Sequence, residues 1–453
     1  MCMDFIGRRQ EMEFLEEQYR MPHPLVFIKG RRRVGKSRLV EEFIKDKESL
    51  YFEVDKETSE SILQSLSDAV SESAGIQGLR FTNWKDALKT YVSNRPGRKI
   101  IVVDEFPYAV RADRDLLKTI QGLWDTYLSK ENVMLILCGS SLVSMKSYSE
   151  EDSPLHGRGT GDLTLMPLPF RDTIRGKPYR TAVEEYSITG GVPYYMMLMR
   201  DGLTPKENAV SSSLSLGAPL LNEGEYLLGS EFSNLSSYNT YMRAIANGNR
   251  TAEKLTGTVQ APSSEVLPYI KRLMDVGMVE RISPITEKSP EHSRNGQYVI
   301  ADSFMQFWFR FVYPYRRNIL KEEPETALDD LEGHFVDAHV AFVFEGICRK
   351  ELRSYLLEKG VHARYGKYWG NGEIDLIALD NRNKTAYVCE CKFTERPLGI
   401  SVLNSLVSKA GDVKELGDYR KVYCMFSVSG YNDDIRDGFE GRDVILFNNG
   451  VSI

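Results

Sequence analysis

Several kinds of feature are missing from this sequence of 453 residues, and each absence excludes a class of protein. No apolar run approaches the roughly 20 residues that a membrane-spanning helix needs, so we predict no membrane partner. Residues 1–20 are charged and lack the apolar stretch of a secretory signal. These absences favour a cytoplasmic protein.

Cysteine and histidine are also rare, with six of each. No two cysteines have the CxxC spacing of a zinc-binding pair, and the histidines are scattered. We therefore predict neither a zinc site nor a disulfide framework, and we expect reduced thiols. The cysteines stand at six positions: Cys2, Cys138, Cys348, Cys389, Cys391 and Cys424.

The excess of charge is small, with a net charge of −6 and a pI near 5.8. A protein dedicated to nucleic acid is usually basic, so a large electrostatic footprint on DNA is disfavoured. A local basic patch is still compatible with this balance, because binding responds to nearby charge. The composition is that of an ordinary globular protein, and the length predicts about two to four domains.

The most informative pattern is a phosphate-binding loop that matches GxxxxGK[ST]. The apolar run Leu25–Ile28 before it predicts a buried strand, and Leu39, Val40 and Phe43 after it recur at helical spacing. Strand, glycine-containing loop and helix form the context in which backbone amides surround phosphate oxygens. The predicted nucleotide-binding residues are Gly30, Arg31, Arg32, Arg33, Val34, Gly35, Lys36 and Ser37.

Two further strands supply the expected partners of this loop. We predict that Lys36 reaches the β and γ phosphates of ATP and that the Ser37 hydroxyl binds Mg²⁺. The β-branched run 100–103 ends in Asp104, which is predicted to hold the magnesium shell, and in Glu105, which is predicted to orient the attacking water.

A third apolar strand, 133–137, ends in a polar turn. In the ASCE branch of P-loop enzymes a polar residue at this place senses the γ-phosphate. Ser140 is the candidate, with Ser141 beside it. A plain polar turn after a core strand is the alternative.

These motifs occur in the order found in the archaeal-type ATPase family, a STAND-related group of AAA+ proteins, and the sequence resembles that family. The motifs that carry the resemblance are residues 5–8 (FIGR), the phosphate-binding loop, Asp104-Glu105, the turn 139–141, residues 153–158 (SPLHGR) and residues 190–195 (GGVPYY).

The resemblance implies three further residues at the nucleotide. Arg8 would contact it, Arg158 would sense the γ-phosphate through its guanidinium, and Pro193 would close over it from a helical lid. Arg158 is otherwise a solvated residue on a flexible loop, and Pro193 otherwise ends a helix. Relatives include ring assemblies and monomers, so an oligomer is possible.

The middle of the chain predicts a winged helix-turn-helix in residues 236–303. Two short helices precede a third, in which Val266, Ile270 and Leu273 share one face, and two strands flank a polar wing. Lys271 and Arg272 lie on the third helix, which enters the major groove in DNA-binding examples. A mechanical part between ATPase and effector is the alternative.

Near the carboxyl end, a helix with Glu345 precedes two strands that carry Asp375 and the Glu390-x-Lys392 pattern. This arrangement resembles the PD-(D/E)xK nuclease fold and the DUF234 domain that follows archaeal-type ATPases. The resemblance implies that Asp375 and Glu390 bind Mg²⁺, that Lys392 positions a water and that Glu345 assists. Glu373 shares the face of Asp375. A salt-bridge cluster in an inactive nuclease fold is the alternative.

Together these patterns predict an α/β protein with five parts. They are a P-loop AAA+-type parallel-sheet core (1–175), a helical lid (176–235), a winged helix (236–303), a linker (304–333) and a PD-(D/E)xK-like α/β domain (334–453). The function expected is an ATP-hydrolysing, Mg²⁺-dependent switch coupled to a metal-dependent nuclease acting on DNA or RNA. The alternative is a regulatory ATPase that binds DNA or a protein partner without cleaving.

Overall fold

The computed structural model describes residues 5–94 and 96–453, so Cys2 lies outside the described residues. The chain forms two compact units. The first comprises residues 5–168 with Val192–Met197 and Tyr226–Ser233, and the second comprises Pro169–Gly191, Leu198–Glu225 and Asn234–Ile453. The predicted boundaries of the lid and the winged helix stay a prediction.

The first unit is built on a five-stranded sheet in the order β2-β3-β4-β1-β5, and all its neighbouring strands are parallel. The strands are β1 (Leu25–Lys29), β2 (Ser49–Glu53), β3 (Lys99–Asp104), β4 (Val133–Gly139) and β5 (Gly161–Thr164). Every residue of β3 and β4 is buried, because helices cover both faces. This confirms the predicted parallel α/β sheet.

The helices of this sheet divide into two layers with separate apolar cores. They are α1 (Arg9–Arg20), α2 (Lys36–Ile44), α3 (Ser59–Ala74), α4 (Trp84–Ser93), α5 (Phe106–Ala112), α6 (Leu116–Thr126), the 3₁₀ turn Leu128–Lys130 and α7 (Leu142–Ser149). Leu39, Val40 and Phe43 of α2 are fully buried, as their spacing predicts. The carboxyl ends of β1, β3 and β4 meet at one edge, where three polar turns follow.

The middle of the chain is almost entirely helical. Its helices are α8 (Phe170–Thr173), α9 (Tyr179–Thr189), α10 (Pro193–Met197), α11 (Pro205–Ala209), the π-helix Val210–Leu214, α12 (Glu223–Glu231), α13 (Leu235–Ala246), α14 (Ala252–Val259) and α15 (Ser263–Asp275). An antiparallel pair, β6 (Val279–Ile282) and β7 (Gln297–Ile300), follows them. Val266, Ile270 and Leu273 form the buried face of α15, as their spacing predicts.

Residues 304–333, predicted as a linker, are largely helical, and their aromatic part, 304–312, is almost entirely buried, whereas residues 320–333 are mostly exposed. They contain most of α16 (Ser303–Phe307), the π-helix Trp308–Val312, the 3₁₀ turn Tyr313–Tyr315, α17 (Arg316–Ile319) and most of α18 (Glu325–Phe335). Trp308, Phe309 and Phe311 are completely buried. The burial of such large rings stabilises a core, which a solvated linker does not form.

A buried histidine lies among these rings in the second unit. His339, in the π-helix Val336–Val340, is completely buried and packs against Phe307, Phe311 and Phe335. Its Nε2 lies 2.8 Å from the carbonyl oxygen of Ser187, and its Nδ1 has no hydrogen-bond partner. Burial lowers the pKa of His339 from 6.5 to about 4, although the hydrogen bond to Ser187 opposes the shift.

This lowered pKa predicts an acid-sensitive fold. Between the two pKa values the unfolded chain binds a proton that the folded chain excludes, so stability rises with pH in this window. As the pH falls from 6.5 to about 4, His339 is expected to lower the free energy of unfolding by about 3 kcal/mol. In denaturant titrations across this pH range, His339→Gln should weaken the dependence of the free energy of unfolding on pH. His362→Gln, at an exposed position, should leave it unchanged, and equal slopes in both variants would contradict the assignment.

The carboxyl-terminal region forms a six-stranded mixed sheet in the order β13-β12-β11-β10-β9-β8. Its strands are β8 (Arg364–Gly370), β9 (Gly372–Asp380), β10 (Thr385–Lys392), β11 (Arg420–Ser427), β12 (Asp443–Asn448) and β13 (Val451–Ser452). The helices are α19 (Ala341–Glu358), α20 (Ile400–Asp412) and the 3₁₀ segments Lys414–Leu416 and Asp433–Phe439. The predicted hairpin between β9 and β10 is confirmed. Within residues 5–94 and 96–453, none of the helices has both the length and the apolar composition of a membrane span.

Candidate functional site

The phosphate-binding loop connects β1 to α2, and its two glycines meet different demands. A Cβ on Gly30 would lie 2.6 Å from the carbonyl oxygen of Leu165, so no larger residue fits there. Gly35 has φ +94°, a left-handed conformation that glycine adopts at little cost. The backbone amides that follow Gly35 are the free N–H groups of the first turn of α2, which favour an anion. The loop therefore has the form of a phosphate cradle.

Lys36 is buried inside this loop, with 5% of its surface exposed. Its ammonium donates hydrogen bonds to the carbonyl oxygens of Gly30 at 3.0 Å and Arg31 at 3.4 Å. Burial lowers the pKa of Lys36, and the nearby carboxylates of Glu105 and Asp104 oppose this shift. The ammonium is thus held in the loop with two carbonyl partners that a phosphate oxygen can replace.

Ser37 and Asp104 lie in direct contact at the edge of the sheet. The Ser37 hydroxyl donates to Asp104 Oδ2 at 2.6 Å, and Tyr51, which the sequence did not single out, donates to the same oxygen at 2.7 Å. A hydroxyl and a carboxylate are the oxygen donors that Mg²⁺ prefers beside phosphates, so these residues fit the ion. Among the residues that the structure describes, no group of three or more His, Cys, Asp or Glu side chains suits a metal.

Glu105 and Ser140 are brought together because β3 and β4 are adjacent parallel strands. The Ser140 hydroxyl donates to Glu105 Oε2 at 2.8 Å, and the Ser140 amide lies 3.3 Å from the same oxygen. Glu105 has a left-handed backbone, with φ 50°, directly after β3. This uncommon conformation and the two hydrogen bonds fix the carboxylate at the edge where the loop lies.

Arg8 contacts the loop, and Pro193 lies beside it. The Arg8 guanidinium donates to the carbonyl oxygen of Val34 at 2.9 Å and pairs with Glu11 at 2.8 Å. Pro193 begins α10, and its Cγ lies 3.8 Å from the position that a Cβ on Gly35 would take. Their predicted contact with nucleotide stays a prediction.

Arg158 is not brought to the loop, in contrast to its predicted role as a sensor in the same site. Arg158 precedes β5. The backbone amide of Thr160, directly before β5, donates to the carbonyl oxygen of Leu25 at the amino end of β1. The loop follows the carboxyl end of β1, roughly 13 Å further along the strand. The Arg158 guanidinium instead forms two 2.7 Å hydrogen bonds with Asp125.

Two contacts of the loop were missed by sequence reasoning. The Arg33 guanidinium lies 4.3 Å from the ring centre of Tyr194, and the Arg31 guanidinium lies 5.9 Å from that of Tyr195. These are cation–π distances, so the segment after Pro193 holds two arginines of the loop. The two tyrosines are conspicuous in the GGVPYY motif, but the sequence does not indicate that arginines of the loop are their partners.

Glu231, at the end of α12, was also missed. Its carboxylate accepts hydrogen bonds from the amides of Leu142 at 2.9 Å and Val143 at 3.3 Å and lies 3.3 Å from the Ser141 hydroxyl. It therefore caps the amino end of α7, directly after Ser140. The sequence around Glu231 gives no signal of this contact.

A second group of charged side chains lies in the carboxyl-terminal sheet. Lys392 pairs with Glu390 at 2.6 Å and lies 4.0 Å from Asp375. Asp375 Oδ2 also accepts a hydrogen bond from the Cys391 amide at 2.9 Å. The structure thus brings together the three residues that the PD-(D/E)xK pattern singled out.

Glu345 is paired separately, and two lysines were missed. Lys367 on β8 forms an ion pair with Glu345 of α19, and Lys409 on α20 pairs with Glu390 at 3.2 Å. Glu373 is exposed at the start of β9. Each lysine reaches its partner from a different element of the fold. Neither lysine therefore belongs to a local sequence motif that contains its partner.

Burial and mutual repulsion perturb this second group. Burial raises the pKa of Asp375, and the neighbouring Glu390 raises it further. Burial by itself lowers the pKa of Lys392, but the hydrogen bond and charge of Glu390 outweigh it, so the pKa of Lys392 is raised. The carboxylates are therefore held at some electrostatic cost, which a bound cation would relieve.

Family models match two stretches of the chain. Residues 5–199 match an ATPase domain that is found predominantly in Archaea. Residues 308–405 match DUF234, a family of archaeal and bacterial proteins of unknown function. These stretches contain the phosphate-binding loop and the Asp375, Glu390 and Lys392 group, respectively.

Relatives extend the likeness over most of the chain. An uncharacterized protein of Methanocaldococcus jannaschii is 28% identical over 435 residues, which cover 93% of this chain and 95% of that protein. The solved structure of a Walker-type ATPase of Pyrococcus abyssi covers 68% of this chain and 96% of its own, with a TM-score of 0.51 and 19% identity. The latter likeness concerns the fold. The chain is therefore similar to an archaeal-type ATPase domain over residues 5–199 and to DUF234 over residues 308–405.

Proposed function

We propose that this protein is an ATP-hydrolysing switch whose nucleotide state controls its carboxyl-terminal domain. The observation that carries this proposal is the convergence of five side chains at one edge of the parallel sheet: Lys36, Ser37, Asp104, Glu105 and Ser140. Two hydrogen bonds, from Ser37 to Asp104 and from Ser140 to Glu105, fix four of these side chains in two pairs. These are the residue types that ATP hydrolysis on a P-loop requires.

In this proposal the loop binds and orients the triphosphate. The amides at the start of α2 donate to the phosphates, and the Lys36 ammonium leaves the carbonyl oxygens of Gly30 and Arg31 for phosphate oxygens. Ser37 and Asp104 would hold Mg²⁺, which would supply positive charge to neutralise the β and γ phosphates. Pro193 and Arg8 keep the loop in place from outside.

Glu105 carries the chemical step. Its carboxylate accepts a hydrogen bond from a water, which attacks the γ-phosphorus while the bond to the bridging oxygen breaks and ADP leaves. The proton of the water passes to Glu105 and then to solvent or phosphate. Ser140 holds Glu105 through its hydroxyl and reports the presence of the γ-phosphate to α7, which begins two residues later.

A second candidate function is metal-dependent phosphodiester cleavage by the DUF234 domain. The Lys392 ammonium lies within ion-pair distance of both Asp375 and Glu390, and the three residues stand on two paired strands, in support of this candidate. The two carboxylates would bind Mg²⁺, which would stabilise the attacked phosphate, and Lys392 would position the attacking water. Glu345 would act from α19, through its partner Lys367.

The region of α13 to β7 contains three helices and a two-stranded antiparallel sheet, which supports the proposal of a winged helix. Lys271 and Arg272 are exposed on α15, so we include nucleic acid among the proposed partners. The rival is a regulatory ATPase in which this region and the DUF234 domain bind DNA or a protein without cleavage. A steep salt dependence of binding distinguishes nucleic acid from a protein partner.

Both activities are tested on the wild type and two variants. The wild type is expected to release phosphate from ATP and to cleave DNA or RNA in Mg²⁺. Lys392→Ala is expected to lower cleavage about 100-fold, because the water loses its positioning cation, while ATP hydrolysis keeps its rate. Lys414→Ala, an exposed lysine in the same domain, serves as the control.

The outcomes separate the two candidates. A wild-type protein that hydrolyses ATP but cuts no nucleic acid with ATP, ADP or a non-hydrolysable analogue leaves only the regulatory ATPase. A wild-type protein that takes up no nucleotide in a calorimetric titration removes the switch itself.

A further inference from the structure

The charged side chains of the DUF234 domain form an electrically balanced group, here called the charge cluster. It comprises Glu345, Lys367, Asp375, Glu390, Lys392 and Lys409. Three carboxylates carry three negative charges, and three ammonium groups carry three positive charges, so the sum is zero. Five elements supply them, namely α19, β8, β9, β10 and α20.

Every carboxylate of the charge cluster has a lysine partner. Glu345 pairs with Lys367, and Asp375 lies 4.0 Å from the ammonium of Lys392. Glu390 has two ammonium partners, Lys392 at 2.6 Å and Lys409 at 3.2 Å. The Glu390 side chain is only 5% exposed, so its charge needs such compensation.

The two ammonium groups at Glu390 supply the same charge that a divalent cation would supply. Both belong to partly exposed side chains, with Lys392 37% and Lys409 32% exposed. Each can therefore move toward solvent without leaving an unpaired charge buried, provided that another cation takes its place at Glu390. The two ammonium groups therefore compensate the charge of Glu390 in a place where a metal ion can replace them.

The balance of charge has a consequence for binding. A cation that enters alone displaces ammonium groups and leaves an excess of two positive charges in the charge cluster. A phosphodiester that enters alone has to attract ammonium groups away from buried carboxylates. When both enter together, the cation compensates Glu390 and Asp375, and the released ammonium groups compensate the phosphate.

We propose that the charge cluster binds a divalent cation and a polynucleotide phosphate as a coupled pair. In this exchange the ammonium groups of Lys409 and Lys392 leave Glu390 to the cation and pair with the phosphate. This inference rests on the proposed phosphodiester site and adds one residue to it, Lys409. Because linkage is reciprocal, the polynucleotide tightens cation binding by the same factor by which the cation tightens polynucleotide binding.

The sign of this coupling distinguishes the proposal from a plain basic surface. Polynucleotide binding to a basic surface releases counterions and is weakened by added Mg²⁺, which competes for the phosphates. The charge cluster is expected to do the opposite, because the cation binds the protein carboxylates first and sets the lysines free. A structural salt-bridge network binds neither ligand.

The test is a set of equilibrium titrations of the full chain without nucleotide, so that turnover plays no part. Mg²⁺ is titrated by calorimetry alone and with phosphorothioate-linked oligonucleotides of DNA or of RNA, which keep their negative charge and resist cleavage. The wild type is expected to bind Mg²⁺ about tenfold more tightly when an oligonucleotide is present. The DNA and RNA arms identify the polynucleotide.

Lys409→Gln gives the sharpest comparison, because it is expected to tighten the binding of Mg²⁺ alone. With one competing ammonium removed, Mg²⁺ affinity should rise severalfold, and the gain from the oligonucleotide should shrink. Lys409→Arg keeps the charge and should keep the coupling, and Lys414→Gln should match the wild type. Thermal melts establish that each variant is folded.

The possible failures have different meanings. Uncoupled binding of both ligands, or weaker Mg²⁺ binding in Lys409→Gln, overturns this inference and leaves the proposed cleavage site standing. A wild type that binds neither Mg²⁺ nor oligonucleotide overturns the inference and the cleavage site together. Hydrolysis of ATP, which depends on the first unit, is unaffected by either result.

Discussion

Lys36→Ala is expected to lower kcat/KM for ATP hydrolysis about 1000-fold, the largest effect of any single substitution in the ATPase domain. The ammonium of Lys36 is the buried cation of the phosphate-binding loop, and its only close partners within the loop are the carbonyl oxygens of Gly30 and Arg31. Negative charge grows on the phosphate oxygens during transfer, and alanine leaves that charge without its cation. Steady-state phosphate release at several ATP concentrations measures the loss.

The control for this prediction is Lys45→Ala, at the end of the same helix. Its side chain is 67% exposed and lies 3.8 Å from Glu42, so its removal should change neither activity nor melting temperature. Lys36→Ala removes a buried cation, and its thermal melt shows whether the fold persists. A folded Lys36→Ala protein that keeps more than about a tenth of wild-type kcat/KM would contradict the proposed mechanism.

The ATPase half of the molecule could be predicted from sequence because its signals are local. A strand, a glycine-containing loop and a helix within 20 consecutive residues (25–44) determine their own geometry, since the loop must turn where Gly30 and Gly35 allow. Asp104, Glu105 and Ser140 follow apolar strands directly. The rule that parallel strands end at one edge then brings them to the loop without further information.

Contacts between distant segments could not be predicted in the same way. Tyr51, Tyr194 and Glu231 reach their partners across 53, 161 and 89 positions of the chain, and neither tyrosine nor glutamate is rare enough to attract notice. Lys367 and Lys409 are similar cases, since a lysine on an amphipathic element normally faces solvent. Only packing shows that their ammonium groups meet buried carboxylates.

The structure places two predicted features differently from the sequence analysis, for identifiable physical reasons. Arg158 was assigned by the order of motifs, but motif order does not state at which end of a strand a loop lies. Its position before β5 puts it at the amino edge, where it pairs with Asp125. Residues 304–333 contain an acidic, proline-containing stretch that is typical of a linker and is mostly exposed, whereas the aromatic residues before it are buried.

Glu105→Gln is expected to separate ATP binding from ATP hydrolysis. The amide keeps the size of the carboxylate but accepts no proton from water, so kcat should fall about 100-fold or more while the Kd for ATP changes little. Glu105 is not a loop residue, and its hydrogen bonds come from Ser140, so the phosphate cradle is preserved. Calorimetry measures the Kd, and single-turnover phosphate release measures the chemical step.

Ser140→Ala and Glu150→Gln make this prediction specific. Without the Ser140 hydroxyl, Glu105 keeps its charge but loses its 2.8 Å partner, so the rate should fall less than in Glu105→Gln. Glu150 is 56% exposed and lies 3.7 Å from Lys146, and its neutralisation should have no effect.

If Glu105→Gln hydrolyses ATP as fast as the wild type, another group activates the water. Glu53 is then the next candidate, because burial and the charge of Asp104 raise its pKa, so that it accepts a proton more readily.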